Sequence, residues 1–228
     1  MPERVIGEAG TRFPFLVRGH SWSFAWSFLM FPEITHDDVF RLETERMWLR
    51  WPCAGDADAF VSSLSNPDLT LKTTIPHPYQ SKHAEDFISS ARNHNACGDG
   101  LFLALSLKGA PNDAIGMISA SGASIRGTTR LGFWLTKSFW GQGLMSEAAN
   151  AFVDLIFKIS SLDHIESCVS SDNHPSMRIL IKLGFVQSGE TEIYTAARDT
   201  KMNMVVTRLK RGSAHTVFGA RRPKLIST

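Results

Sequence analysis

Hydrophobic positions along the chain change their period several times, and each change marks an element. "MWLRWP", near residue 47, has strand character; "ADAFVSSLS" after it has helical spacing that stops at Asn66-Pro67. Gly55-Asp56 is placed to cap that helix. "TTIPHPYQ" holds two prolines and reads as loop or extended chain. Ser81 is placed to cap a helix over "KHAEDFISSARNH", with Glu85 and Asp86 early in it, where carboxylates favour a helix start. "LFLALSL" reads as a buried strand, "KGAPND" as a turn, "AIGMISAS" as a second strand, "GASIRGTT" as a second turn and "RLGFWLT" as a third strand. That spacing predicts an antiparallel meander. Beyond Gly143, the positions Ala148, Ala149, Phe152, Ile156 and Ile159 fall near helical period. "HIESCVSS" is the next strand, and the helix crossover before it predicts that it lies parallel to "RLGFWLT". Asn173 is placed to cap a helix over "HPSMRILIKL", where a first-turn proline is tolerated, and Gly184 sits where a helix end wants a left-handed residue. "FVQSGE" and "TKMNMVVTRL" close the pattern. The sum is a mixed α/β layer: a meander, a strand-helix-strand unit, a helix and a final hairpin.

Composition narrows the class. The chain has 228 residues, 43% hydrophobic and 20% charged, which fits one globular domain with a core. No apolar run approaches the ~20 residues of a membrane helix. The formal net charge of +2 argues against a broad nucleic-acid surface. Cys53, Cys97 and Cys168 are far apart and lack metal-ligand spacing, so free thiols in a reducing cytoplasm are expected, with no metal. The two ends differ from the middle. "RFPFLVRGHSWSFAWSFLM" is aromatic-rich without period; arginines precede its apolar stretch, yet no small-residue cleavage pattern follows. We expect residues 1–39 to be a poorly ordered extension, with a wrongly chosen start codon as the alternative for its first ~29 residues. The folded domain is expected over 40–210, followed by a basic, solvated tail over 211–228.

The candidate chemistry sits at Gly141-Gln142-Gly143. A strand running through a glycine turn into a helix start gathers main-chain N–H groups in one concavity, where the helix dipole adds positive potential. That arrangement suits phosphate or pyrophosphate, with the amides of Leu144, Met145 and Ser146 aimed at it. Spacing alone does not separate such a site from a turn that only aims a helix. No "GxxxxGK" follows, and the six-position dinucleotide fingerprint is absent. A second feature adds weight. "SSDNHPSMRILIKLGF" starts at the end of the neighbouring parallel strand, so two strand ends open into helix starts and leave a crevice between them. Asn173 and Ser176 are expected to face it.

"LGFWLTKSFWGQGLMSEAANAFVDLIF" followed by "NHPSMRILIKLGF" resembles the acyl-CoA-binding core of the GNAT acetyltransferases, and most closely their RimJ/RimL-like branch. Upstream, "LETERMWLRWP", "IPHPY" and "AEDFI" are similar to that branch too, so the likeness covers Leu42 to Leu209 in blocks. It implies the GNAT fold: a mixed, mostly antiparallel sheet with a central splayed parallel strand pair, flanked by helices. The family's phosphate loop maps onto Trp140, Gly141, Gln142, Gly143, Leu144 and Met145, with Met145 departing from a small residue. The resemblance further implies that Phe133, Trp134 and Leu135 offer backbone groups to a pantetheine arm, that the pyrophosphate sits on Gly141 to Ser146, and that Asn173 hydrogen-bonds the arm.

The implied reaction moves an acetyl group from acetyl-CoA to a primary amine by direct attack. The acceptor is a peptide N-terminus or a small molecule. A neutral amine, an oxyanion donor near Phe133 to Leu135, and a proton donor for the leaving thiolate are required. Ser176 is the candidate donor. His77 is the candidate base, with Glu166 and Asp172 also weighed, since "RLGFWLT" carries no carboxylate. Tyr79 and His77 are candidates for lining the acceptor site. Two other readings stand beside this one: a catalytically weak acyl-CoA-binding or regulatory relative, motivated by Met145 and the missing carboxylate, and a nucleic-acid module using the basic tail, which the near-neutral charge disfavours. No membrane partner is expected, and a homodimer is compatible with the pattern.

Overall fold

The computed structural model describes residues 40–124, 128–195, 200–213 and 224–226. The expected extension over 1–39 lies outside the described residues, as do most of the basic tail and the centre of the "GASIRGTT" turn. Among the described residues nine strands form one sheet: β1 Arg41–Glu43, β2 Met47–Arg50, β3 Leu101–Leu107, β4 Ala110–Ser124, β5 Thr128–Leu135, β6 His164–Ser170, β7 Val186–Thr195, β8 Thr200–Lys210 and β9 Lys224–Ile226. Their order is β7-β8-β6-β5-β4-β3-β2-β1-β9. Every neighbouring pair is antiparallel except β5 and β6, which run parallel across a helix crossover. The helices are α1 Ala57–Leu64, α2 Pro67–Thr70, α3 Ser81–Cys97, α4 Leu144–Ile159 and α5 His174–Leu183.

The sheet is covered on both faces, which explains the unbroken apolar run of β3. Leu101, Leu103 and Leu105 pack with Leu144, Phe152 and Ile156 of α4 and Leu180 of α5. Phe102 and Ala104, pointing the other way, pack with Phe60 of α1 and Ala84 and Ile88 of α3. Along α4 the buried positions Leu144, Met145, Ala148, Ala149, Phe152, Val153, Ile156 and Ile159 follow the helical period of the sequence. Burying such an apolar stripe is what makes the helix stable.

Four local expectations change. Asp56 does not cap α1 with its side chain; its buried carboxylate accepts both Arg50 Nη atoms at 2.7 and 2.8 Å and the Cys53 N–H at 2.8 Å. Gln80 rather than Ser81 is the N-cap of α3, and its own N–H donates to Nδ1 of His83 at 3.1 Å. The turn at "KGAPND" shrinks to Lys108-Gly109, because β4 starts at Ala110. At the C-terminus, Arg211 belongs to the fold. Its N–H bonds Asp163 O at 2.8 Å, and its guanidinium gathers the carbonyls of Phe157, Ser160 and Leu162 at the end of α4, where the helix dipole favours a cation. Further along the expected tail, β9 pairs with β1.

Candidate functional site

β5 and β6 hold parallel register only from Thr128↔His164 to Arg130↔Glu166. One more link follows, from Ser167 Oγ to the Leu131 carbonyl at 2.9 Å. Beyond it β5 stays paired with β4 through Leu135, and β6 with β8 through Ser170, so the inner edges separate while the outer ones remain satisfied. Backbone direction alternates along a strand. Thr136 donates its N–H to Ile115 of β4 at 2.8 Å, which puts the main-chain groups of Trp134 on the β4 side as well. Leu131, Phe133 and Leu135 turn theirs to the open side. The Leu135 carbonyl is taken by the Trp140 indole N–H at 2.6 Å. The β6 pairing does not reach the Phe133 N–H and C=O or the Leu135 N–H. Trp134 thus departs from expectation: it gives the crevice a ring, set edge-on to Phe60 at 5.1 Å, instead of a backbone group.

The glycine turn sits at the end of β5. A short 3-10 turn, Lys137–Phe139, leads through Trp140 to Gly141 and Gly143, both left-handed with φ of 77° and 75°. A Cβ on Gly141 would meet nothing within 4 Å, and one on Gly143 only an Arg46 nitrogen at 3.7 Å. Backbone conformation, not crowding, is what calls for glycine there. Gln142 uses its side chain inside the loop, donating to Ser138 O at 3.1 Å. Gly143 is the N-cap of α4, so the first-turn amides of Leu144, Met145 and Ser146 lack acceptors within the helix. Met145 itself is buried in the core beside Ala148 and Ala149. Its side chain points away from the turn, which removes the steric motive for a degenerate site.

Between β5 and β6 lies a cleft of about 500 Å³. Asn173 and Ser176 line it from the β6 side. Asn173 caps α5 through Oδ1, accepting the Ser176 N–H at 3.3 Å, and its amide NH₂ remains available. The cleft runs under the segment joining α2 to α3 and along one face of α3, where Tyr79, His83, Asp86 and Phe87 line it. Burial pushes the Tyr79 phenol up to about 12. The Gln80 N–H on His83 Nδ1 makes the neutral ring an Nε2–H donor. Residues 68 to 72 are tied to both sides of the cleft, and Lys72 lines it. Asp68 pairs with Lys137 just past β5, and Lys72 Nζ reaches Asp172 O at 3.1 Å just past β6.

The candidate bases scatter. His77 is not among the cleft-lining residues; its Nδ1 is hydrogen-bonded to Thr70 Oγ1 at 3.2 Å. Glu166 is paired with Arg208 at 2.6 Å and lies outside the cleft. The Ser170 hydroxyl, then Lys72, hold the Asp172 carboxyl below its usual range. His83 was not singled out in the sequence, and Asp86 was read only as a carboxylate near a helix start, because "KHAEDFISSARNH" reads simply as a capped helix. The signal was spacing: residues 83, 86 and 87 share one helical face. Among the described residues no group of three or more His, Cys, Asp or Glu is placed to hold a metal.

Comparison with known proteins gives a consistent result. The family described as acetyltransferase (GNAT) domain matches residues 46–186. A protein named uncharacterized N-acetyltransferase p20, from Bacillus licheniformis, is 28% identical over 161 residues, covering 69% of this chain and 88% of that one. Mycobacterium smegmatis RimJ, solved in complex with CoA-disulfide, superposes with a TM-score of 0.63 at 19% identity, over 75% of this chain and 86% of that one. Ribosomal-protein-S5-alanine acetyltransferase from Vibrio fischeri superposes with a TM-score of 0.64 at 20% identity, over 77% and 98%.

Proposed function

This chain belongs to the GNAT acetyltransferase family and is an acetyl-CoA-dependent N-acetyltransferase, and we propose that it acetylates a primary amine by direct attack in a ternary complex formed within the β5–β6 crevice. The observation that carries this reading is the pair of open strand edges beyond Ser167 and Leu131, continuous with a left-handed glycine turn at a helix start. These residues fit acetyl-CoA. The Phe133 and Leu135 main chains and the Asn173 amide would take the pantetheine arm; Gly141 to Ser146 would take the pyrophosphate. The bound thioester supplies an activated acetyl group.

On this reading the Leu135 or Phe133 N–H, held rigidly by the β4 ladder, is the donor for the developing oxyanion. Ser176 is the proton donor for the leaving thiolate, close to Asn173 in the first turn of α5. Tyr79 keeps its proton through the whole neutral range, so it lines the acceptor end as a hydrogen-bond donor and not as a base. With His77, Glu166 and Asp172 all engaged elsewhere, a water-relayed proton with positioning by the cleft walls is the reading we favour for deprotonation. Proximity and orientation can supply ~7–11 kcal/mol of barrier reduction. The acceptor is a peptide N-terminus, as the name of the Vibrio fischeri neighbour suggests for that protein, or a small amine. Three free thiols suit a reducing cytoplasm.

Calorimetric titration with acetyl-CoA, on wild type and on Gly143→Trp, tests cofactor placement. Micromolar binding that the substitution removes is expected. Absence of binding by folded wild type would leave only a degenerate relative. Release of CoA thiol with N-terminal peptides against small primary amines then separates the two acceptor classes.

A further inference from the structure

Arg46, in the β1–β2 turn, is far in sequence from the glycine turn yet grips it at several points. Its main-chain N–H donates to Glu147 Oε1 at 2.9 Å, and its Nε donates to Glu147 Oε2 at 2.7 Å. Its Nη1 donates to the Gln142 carbonyl at 2.9 Å. The residue itself is anchored from behind, its carbonyl accepting the Lys108 N–H at 3.0 Å. Glu147 stands in the first turn of α4. Burial opposes its charge, but the hydrogen bonds from Arg46 and Thr44 prevail and hold its carboxyl below the usual range.

Two physical consequences follow. A trans peptide is planar, so fixing the Gln142 C=O toward Arg46 aims the Gly143 N–H in the opposite direction. With glycines on both sides of Gln142, that peptide could otherwise rotate at little steric cost. Secondly, an unpaired carboxylate in the first turn would repel an incoming anion. Glu147, paired with the Arg46 guanidinium through Nε and capped on its other oxygen by the Arg46 main-chain N–H, leaves the positive end of α4 unopposed.

We propose that Arg46 is a positioning residue for the cofactor: with Glu147 it forms a clasp that holds the glycine turn in its anion-receiving conformation and cancels the charge that would oppose pyrophosphate. The proposal rests on the glycine turn being the pyrophosphate site. Arg46 touches the loop and Glu147; its effect reaches the cofactor through them.

The test is calorimetric affinity for two probes, acetyl-CoA and acetyl-pantetheine, which lacks the pyrophosphate. Wild type, Arg46→Ala, Glu147→Gln and the double variant are compared at low salt. Arg46→Ala is expected to weaken acetyl-CoA at least tenfold and acetyl-pantetheine less than twofold. Adding Glu147→Gln to Arg46→Ala should recover at least threefold in acetyl-CoA affinity, since it removes the stranded carboxylate. Equal loss for both probes would overturn the proposal and reduce Arg46 to a fold-stabilising residue. No recovery in the double variant would overturn the charge argument. If wild type holds both probes equally well, the glycine turn is not a pyrophosphate site, and the failure lies in that reading and not in the clasp.

Discussion

The two halves of the proposed site are made of different material. The half we assign to the cofactor consists of main chain: open edges of β5 and β6 and, outside the cleft lining, a left-handed turn and the first amides of α4. The half we assign to the acceptor consists of side chains: Tyr79 just before α3, and His83, Asp86 and Phe87 on one face of it, beside a segment tied to Lys137 and Asp172. A site built from backbone accepts almost any sequence that keeps its conformation. A site built from side chains changes character with each substitution. One scaffold can therefore keep its acyl donor while altering its acceptor.

The difference can be broken from beneath the acceptor end. Arg50 and Asp56, both buried, lock the entry to α1, whose Phe60 backs the wall at Trp134. Asp56→Asn leaves the guanidinium short of its counter-charge in a buried place. We expect a loss of about 3–5 kcal/mol in a urea unfolding curve. A loss under about 1 kcal/mol would mean that water reaches Arg50 freely.

Tyr79 gives the next largest effect, visible at high pH. An ordinary phenol titrates near 10, and this one is pushed up to about 12. The unfolded chain releases that proton first. Stability is therefore complete below about pH 10 and declines as pH rises toward 12, by up to about 2–3 kcal/mol. Tyr79→Phe should remove this component of the pH dependence while leaving stability at pH 7 within about 1.5 kcal/mol. An unchanged alkaline slope would show the phenol to be accessible to solvent.

The backbone character of the cofactor end is sharpened at Gly141. Its φ is left-handed and the surrounding space is open, so a side chain acts through strain alone. Gly141→Val should weaken acetyl-CoA about tenfold or more, in line with ~1–2 kcal/mol of strain, and Gly141→Asn should retain most of the affinity because Asn tolerates this region. Equal losses for Val and Asn would point to a steric role instead. The smallest effect belongs to His77. With its Nδ1 held by Thr70 and the residue away from the cleft, His77→Ala should change the acetyl-transfer rate at neutral pH less than threefold; a tenfold fall would reinstate it as the base.

The same contrast explains what could be read from the sequence. Gly143, Asn173, Gly184 and the apolar period of α4 announce themselves locally, because turns, caps and helix faces are encoded within a few residues. The parallel β5–β6 pair followed from chain connectivity. Only the Trp134 main chain was misplaced, because alternation along a strand fixes which backbone groups face a gap only once the pairing on the other edge is known. His77 was misjudged because a proline-flanked loop does not encode where its side chains point. The Arg46–Glu147 contact spans 101 positions, and no local pattern carries such a meeting. His83 was legible in principle from its helical face, but only with the loop before it correctly placed.

The hydroxyl of Ser167 acts as the stop on a zipper. Hydrogen bonds close the seam between β5 and β6 up to it, and past it the strands are free to part. Where a zipper stops decides how long the opening is. Shifting that stop by two residues would lengthen or shorten the open edges by about 7 Å. One hydroxyl thus works as a ruler, marking the point from which the two strand edges run unpaired.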